Sequence, residues 1–291
     1  MRSKTVAVPF FVSLVVLPVL FGLAITMGNP AQGDSLRQAL FAATVAIEAV
    51  ALWKAISARK IFSPQDSGYL TWTLILTFLA VRLVAELRLV TLTFGMINIP
   101  PRLEDASQGM YFYVVVLRYI YTASDLLFVG ALATAISGYK STGLRFEMLK
   151  RDYVYMGLLW ALPVLTFVFR ENLDLGGLLK TDNTIAAYRL VAVCVGAMIA
   201  SLCLAVRRYA IQMGGGAVAR VWNTVVIAGT ARAASFLVLA LISKWWEPGA
   251  KFIEQYLLWV FACCWLMAVI YQQEILPRGA KSRLAAVAAG R

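Results

Sequence analysis

Eight apolar windows, at about residues 6–27, 38–58, 70–95, 111–137, 153–169, 185–206, 219–243 and 252–273, fill most of this 291-residue chain. Each holds roughly 17 to 25 residues, enough for a helix rising 1.5 Å per residue to cross about 30 Å of hydrocarbon. Lipid offers a backbone amide no water to bond to, so such a run must satisfy its peptide groups internally, as a helix. With 61% hydrophobic and 14% charged residues, the chain also lacks the polar surface a water-soluble protein of this size presents. The expected fold class is an all-α polytopic integral membrane protein with eight transmembrane helices. The short connections leave no room for a soluble domain, which places the function in or at the bilayer.

Lysine and arginine in the connections set the expected orientation. With the N-terminus inside, the inner segments carry Arg2, Lys4, Arg59, Lys60, Lys140, Arg145, Lys150, Arg151, Arg207, Arg208, Arg278, Lys281, Arg283 and Arg291. The outer segments carry only Arg37, Arg102, Arg170, Lys180, Lys244 and Lys251, interleaved with acidic residues. This bias predicts a bacterial cytoplasmic membrane protein with both termini cytoplasmic. It also accounts for the net charge of +12 without a nucleic-acid partner, anionic lipid headgroups aiding the inner face. Arg2 and Lys4 precede an apolar run that a cleaved signal also shows, but the run is long and no A-x-A site follows it.

Three landmarks recur at nearly one offset. Leu17-Pro18-Val19-Leu20 returns as Leu162-Pro163-Val164-Leu165, Arg59-Lys60 as Arg207-Arg208, and the Trp72 to Arg82 segment as Trp222 to Arg232, with offsets of 145, 148 and 150 residues. The pattern reads as a parallel 4+4 internal repeat, with halves 1–145 and 146–291 packed as one membrane domain. Arg118 and Asp125 break it, having no charged counterpart in the last window.

The ionisable residues at membrane depth carry the functional expectation, because each costs roughly 2.5 to 3.5 kcal/mol to insert even on a lenient scale. Arg82 and Glu86 stand four residues apart and share a helix face. Arg118, Tyr121 and Asp125 form one stripe of cation, hydroxyl and acid. Glu48 and Lys54 are poorly placed to pair within their own helix, so Glu48 should seek an arginine on another. Arg88, Lys54, Arg189 and Arg220 lie nearer the ends and are expected to snorkel to headgroups or water. The expected ligand or ion pathway is Arg82, Glu86, Arg118, Tyr121, Asp125, Arg232 and Glu48, bordering one polar interior.

Other chemistries are absent from the composition. The chain has no histidine, which excludes histidine-dependent catalysis, histidine-ligated haem and histidine-containing metal sites. Cys194, Cys203, Cys263 and Cys264 all fall within apolar windows and read as reduced structural thiols, so no metal site is expected. Gly214-Gly215-Gly216 lacks the order of a phosphate-binding loop and reads as a hinge or helix end.

The leading expectation is a small membrane transporter or transport-complex subunit, with an intramembrane charged site for an anionic solute or lipid headgroup. A noncatalytic subunit of a membrane complex and a sensory or ligand-reception protein are the alternatives, with an enzyme the lesser expectation. Expected partners are membrane lipids, a second copy of the chain or another membrane protein. No particular cofactor is implied.

Overall fold

The computed structural model describes residues 17–60, 62–64, 66–93, 108–141, 143, 148–166, 184–212, 216–242 and 246–288. They form helices α1 (Leu17–Gly28), α2 (Pro30–Arg59), α3 (Ser67–Thr93), α4 (Gln108–Ser141), α5 (Lys150–Thr166), α6 (Thr184–Gln212), α7 (Ala217–Ile242) and α8 (Glu247–Ala288). The protein is thus an all-α, polytopic membrane protein.

The expected number of spans is corrected. Among the described residues six helices are long and apolar enough to cross a bilayer: Ala31–Arg59, Gly68–Leu87, Tyr119–Ser141, Leu190–Gln212, Val218–Val238 and Glu247–Glu274. The first and fifth windows do not qualify. The 17 residues of α5 rise about 25 Å, and the 12 described residues of α1 about 18 Å, both short of about 30 Å of hydrocarbon. Composition made both look sufficient; among the described residues neither helix reaches that length. A fold of eight equivalent spans in a 4+4 arrangement fails with that number.

The six spans form a closed circuit of neighbours. Helix α2 packs on α3, α3 on α4, α4 on α6, α6 on α7, α7 on α8, and α8 back on α2. The short helices lie outside it, α1 against α2 and α8, and α5 chiefly against α6. Spacings of three and four residues select the inward faces: Ala51, Ala55 and Ala58 on α2; Ile75, Phe78, Leu79, Arg82 and Glu86 on α3; Trp222, Val225, Ala228 and Arg232 on α7. Val50, Trp53, Val84, Leu87, Leu126 and Ile227 point outward, as lipid permits. Small side chains allow close crossings where burial of apolar area supplies little drive. At Gly229 of α7, an added Cβ would stand 2.3 Å from Cys203 Sγ of α6, so glycine is required for that contact.

Helix termini follow local sequence. Asn29 caps α2 by accepting from the amides of Ala31 at 3.2 Å and Gln32 at 3.4 Å, and Pro30 fits the first turn, where an N–H has no intrahelical partner. Asp152 accepts from the Leu149 amide at 3.0 Å, the back-bond of a capping box that starts α5. Its carboxyl also receives Arg208 Nε of α6 at 2.6 Å, tying the start of α5 to the end of α6.

Candidate functional site: a buried charge network

A ladder of ionic contacts crosses the middle of the bundle. Glu48 of α2 is 0% exposed, Arg82 of α3 0%, Asp125 of α4 0%, Glu86 of α3 2% and Arg232 of α7 4%. Arg82 donates from Nε to Glu48 Oε1 at 2.7 Å and from Nη2 to Glu86 Oε1 at 3.0 Å. Its third nitrogen, Nη1, stands 4.0 Å from Asp125 Oδ1. Arg232 grips Asp125 with both prongs, Nε to Oδ1 at 3.0 Å and Nη2 to Oδ2 at 2.6 Å. The planar guanidinium matches two carboxylate oxygens at once, which makes this the most specific contact of the set. Three consecutive helices, α2, α3 and α4, and the distant α7 are joined through five side chains.

The arginines are braced by rings as well as acids. Arg82 lies 4.8 Å from the Phe261 centroid and 5.8 Å from that of Tyr121, and Arg232 lies 4.1 Å from that of Phe236. Next to the network, Phe78, Phe128, Phe261 and Trp265 meet at centroid distances of 5.2 to 6.4 Å. Helix direction places this aromatic layer. Phe78 precedes Arg82 by one turn on α3, Phe128 follows Asp125 on the oppositely directed α4, and Phe261 follows Glu254 on α8. The rings therefore separate the charges from the end of the bundle where α2, α4 and α6 finish. That end is the basic one, carrying Arg59, Lys60, Lys140, Lys150, Arg151, Arg207, Arg208 and Arg220. There Arg59 bonds Thr73 Oγ1 at 3.1 Å and also the Tyr69 hydroxyl, while Arg220 lies 5.7 Å from the Tyr271 ring.

Several polar atoms inside the network have no hydrogen-bond partner among the described residues. They are Arg82 Nη1, Glu48 Oε2 and the Tyr121 hydroxyl oxygen, all inaccessible to solvent. A buried donor and a buried acceptor left open each cost about 1 to 3 kcal/mol, more for a charged group. Their concentration on Arg82 and its neighbours marks a part of the described core where a polar molecule would gain bonds that the protein does not supply. Trp265 Nε1, in the aromatic layer beside them, is open too.

Of the expected pathway residues, the structure brings together Glu48, Arg82, Glu86, Asp125 and Arg232, with Tyr121 on the face of Arg82. The side chain of Arg118 lies outside the described residues, as do those of Arg88 and Arg189. Asp125 takes Arg232 as its principal partner, and Glu48 finds Arg82. Trp72 and Trp222, which open the two recurring segments, are buried at 4% and 7% exposure; Trp53, Tyr153 and Tyr155 are exposed.

The sequence reading missed Glu254. It sits half-buried on α8, within electrostatic reach of Arg232, Arg37, Arg82 and Glu86. Its neighbour Gln255 donates to Thr44 Oγ1 of α2 at 3.4 Å. Glu254 opens the last apolar window, where a carboxylate looks merely solvated; only the packing of α8 against α2 and α7 turns it toward the charges.

The four cysteines are free thiols, and among the described residues no group of three or more Cys, Asp or Glu side chains is placed to hold a metal ion. Comparison with known proteins adds no relative: no family model matches the chain, and no match is found among curated proteins or solved structures.

Proposed function

We propose that the protein is a small membrane transporter, or the transporting subunit of a larger assembly, and that the charge network is its solute site. One observation carries this reading: a fully buried arginine, Arg82, keeps one guanidinium nitrogen open beside an open carboxylate oxygen and an open phenol. A purely structural network gains by closing every bond, since a half-satisfied one is costlier than an apolar core. Arg82 Nη1 is the donor that an anionic solute or headgroup would take, and the Tyr121 hydroxyl is the second. Access from the less basic end, past Arg37, Lys251 and Glu254, fits the aromatic layer that seals the other side. With no ATP-hydrolysing motif in the chain, movement is driven by a gradient or by a partner.

The test is electrical. Proteoliposomes on a solid-supported membrane, given concentration jumps of phosphate, sulfate and short-chain carboxylates, should return a capacitive current with at least one of them. Arg82→Gln should abolish that current, and Arg232→Lys should weaken it. No current with any of these anions, from protein that is folded and correctly inserted, overturns the anion reading.

A second reading, a noncatalytic subunit of a membrane complex, is supported by the complete burial of Arg82 and by the way its contacts join α2, α3 and α4. On that reading Arg82→Gln lowers assembly or folded yield, and the wild-type protein gives no current.

A further inference from the structure

Among the described side chains the network holds three carboxylates, Glu48, Glu86 and Asp125, against two guanidinium groups, Arg82 and Arg232, and the surplus is localised. Asp125 is matched on both oxygens by Arg232. What remains is one cation, Arg82, between two carboxylates, each bonded to it through a single oxygen, with Glu48 Oε2 left open. Two negative charges at about hydrogen-bonding distance from one positive charge, in a place without solvent access, do not persist as such. Buried carboxylates sharing a site relieve the repulsion by taking up a proton, as the paired acids of other proteins do.

Among the described side chains, the groups facing this pair from each packed element do not remove the surplus. Glu48 is on α2, Arg82 and Glu86 on α3, Tyr121 and Asp125 on α4, Arg232 on α7 and Glu254 on α8. Arg37 and Lys251, near Glu254, already have acids of their own, Asp34 at 3.2 Å and Glu247 at 2.7 Å.

Resting on the transport reading above, we infer that Glu48 and Glu86 share one exchangeable proton across Arg82, and that this proton is the coupling ion. In the step, a hydronium ion gives its proton to a carboxylate oxygen and leaves as water, and the pair falls from two negative charges to one. Arg82 is then balanced, and its open Nη1 meets an incoming anion without the repulsion of a second carboxylate. Loss of the proton restores that repulsion and expels the anion. Proton and solute therefore enter together and leave together.

Infrared difference spectroscopy of the purified protein in lipid nanodiscs, titrated from neutral to alkaline pH, reads the proton without any solute. The expected result is the carbonyl stretch of a protonated carboxyl in the wild type, disappearing as the pH rises. Glu48→Gln should abolish it, and so should Glu86→Gln, because in each variant the remaining glutamate has Arg82 to itself. Glu254→Gln should leave it in place. Either glutamine variant retaining the full band, a wild type without the band, or a band that appears only when sodium is withdrawn overturns the inference; the last assigns the site to a metal cation. Should the glutamine variants fold poorly, the wild-type titration with a soluble pH indicator still counts the protons released, and a count of zero has the same force. Anion currents that are independent of pH, with no band, would sink the proton and leave the transporter standing. A band without any anion current would do the reverse.

Discussion

At the scale of the residue, the Asp125–Arg232 contact has the clearest energetic consequence. An average polar contact between membrane helices is worth about 0.6 kcal/mol, whereas removing one partner of a buried pair and stranding the other costs about 3 to 5 kcal/mol. Asp125 belongs to the second case, since both oxygens are held and, among the described side chains, the next cation nitrogen, Arg82 Nη1, is 4.0 Å away. Arg232→Leu should therefore lower the thermal unfolding midpoint in detergent by several degrees. Asp125→Asn combined with Arg232→Gln should recover more than half of that loss, because no charge is stranded; equal destabilisation by the single and double variants would show that the pair is not the unit. These contacts were unevenly legible in the sequence. The four-residue spacing of Arg82 and Glu86 fixes a shared face, and the isolation of Glu48 on its own helix points it toward another. Choosing Arg232 rather than Arg82 as the partner of Asp125 requires knowing that α4 and α7 meet across a sequence separation of 107, which no local pattern records.

Among the elements, α5 is the most thinly held, and its attachment is ionic. Beyond apolar contact with α6 it is tied by Trp160 Nε1 donating to Ser201 Oγ at 3.2 Å and by Arg208 on Asp152. Burial works to raise the Asp152 carboxyl, but hydrogen bonding and charge from Arg208, with the Leu149 amide, outweigh it and hold the group below its ordinary value of 3.8. A carboxyl lowered on folding contributes stability that is complete above its unfolded value and is lost as the pH falls through the folded one. Docking of α5 should accordingly be insensitive to pH from about 5 upward and loosen below 3.8. Hydrogen exchange of the α5 amides at pH 3 and pH 7 measures this, and Asp152→Asn should remove the difference while exchanging faster at both. Unchanged protection at pH 3 in the wild type would show that apolar contact alone holds the helix. The same element shows where the hydropathy reading broke down. An apolar window averages side chains over a fixed length and is blind to where the helix starts, which Asp152 and Leu149 set at Lys150; the described helix from there to Thr166 holds 17 residues.

For the whole molecule, the decisive feature is the order of layers along the bundle axis. Mixed charges at one end come first, then the buried network, then four clustered rings, then the basic end. The sequence displayed the basic end openly, as arginine and lysine in the short connections, because a charge excess survives without knowledge of packing. It did not display the aromatic layer, since Phe78, Phe128, Phe261 and Trp265 look like ordinary span residues until three helices bring them within 6.4 Å of one another. If transport is alternating, this layer is the closed gate of the present conformation. Its rings offer water no polar atom except Trp265 Nε1, so on that reading water reaches Glu48 and Asp125 from the less basic side. A cysteine at Ser124, which is buried next to Asp125, reports the route once the four native cysteines are replaced by alanine. Ser124→Cys in sealed proteoliposomes of defined orientation should react with a small membrane-impermeant thiol reagent added at the less basic face and resist the reagent at the basic face. Adding Phe78→Ala and Phe128→Ala removes two of the rings at the centre of the layer, and labelling from the basic face should then rise at least tenfold. Labelling from the basic face before the rings are removed, or no gain afterwards, would show that the aromatic layer is packing and that the gate lies elsewhere.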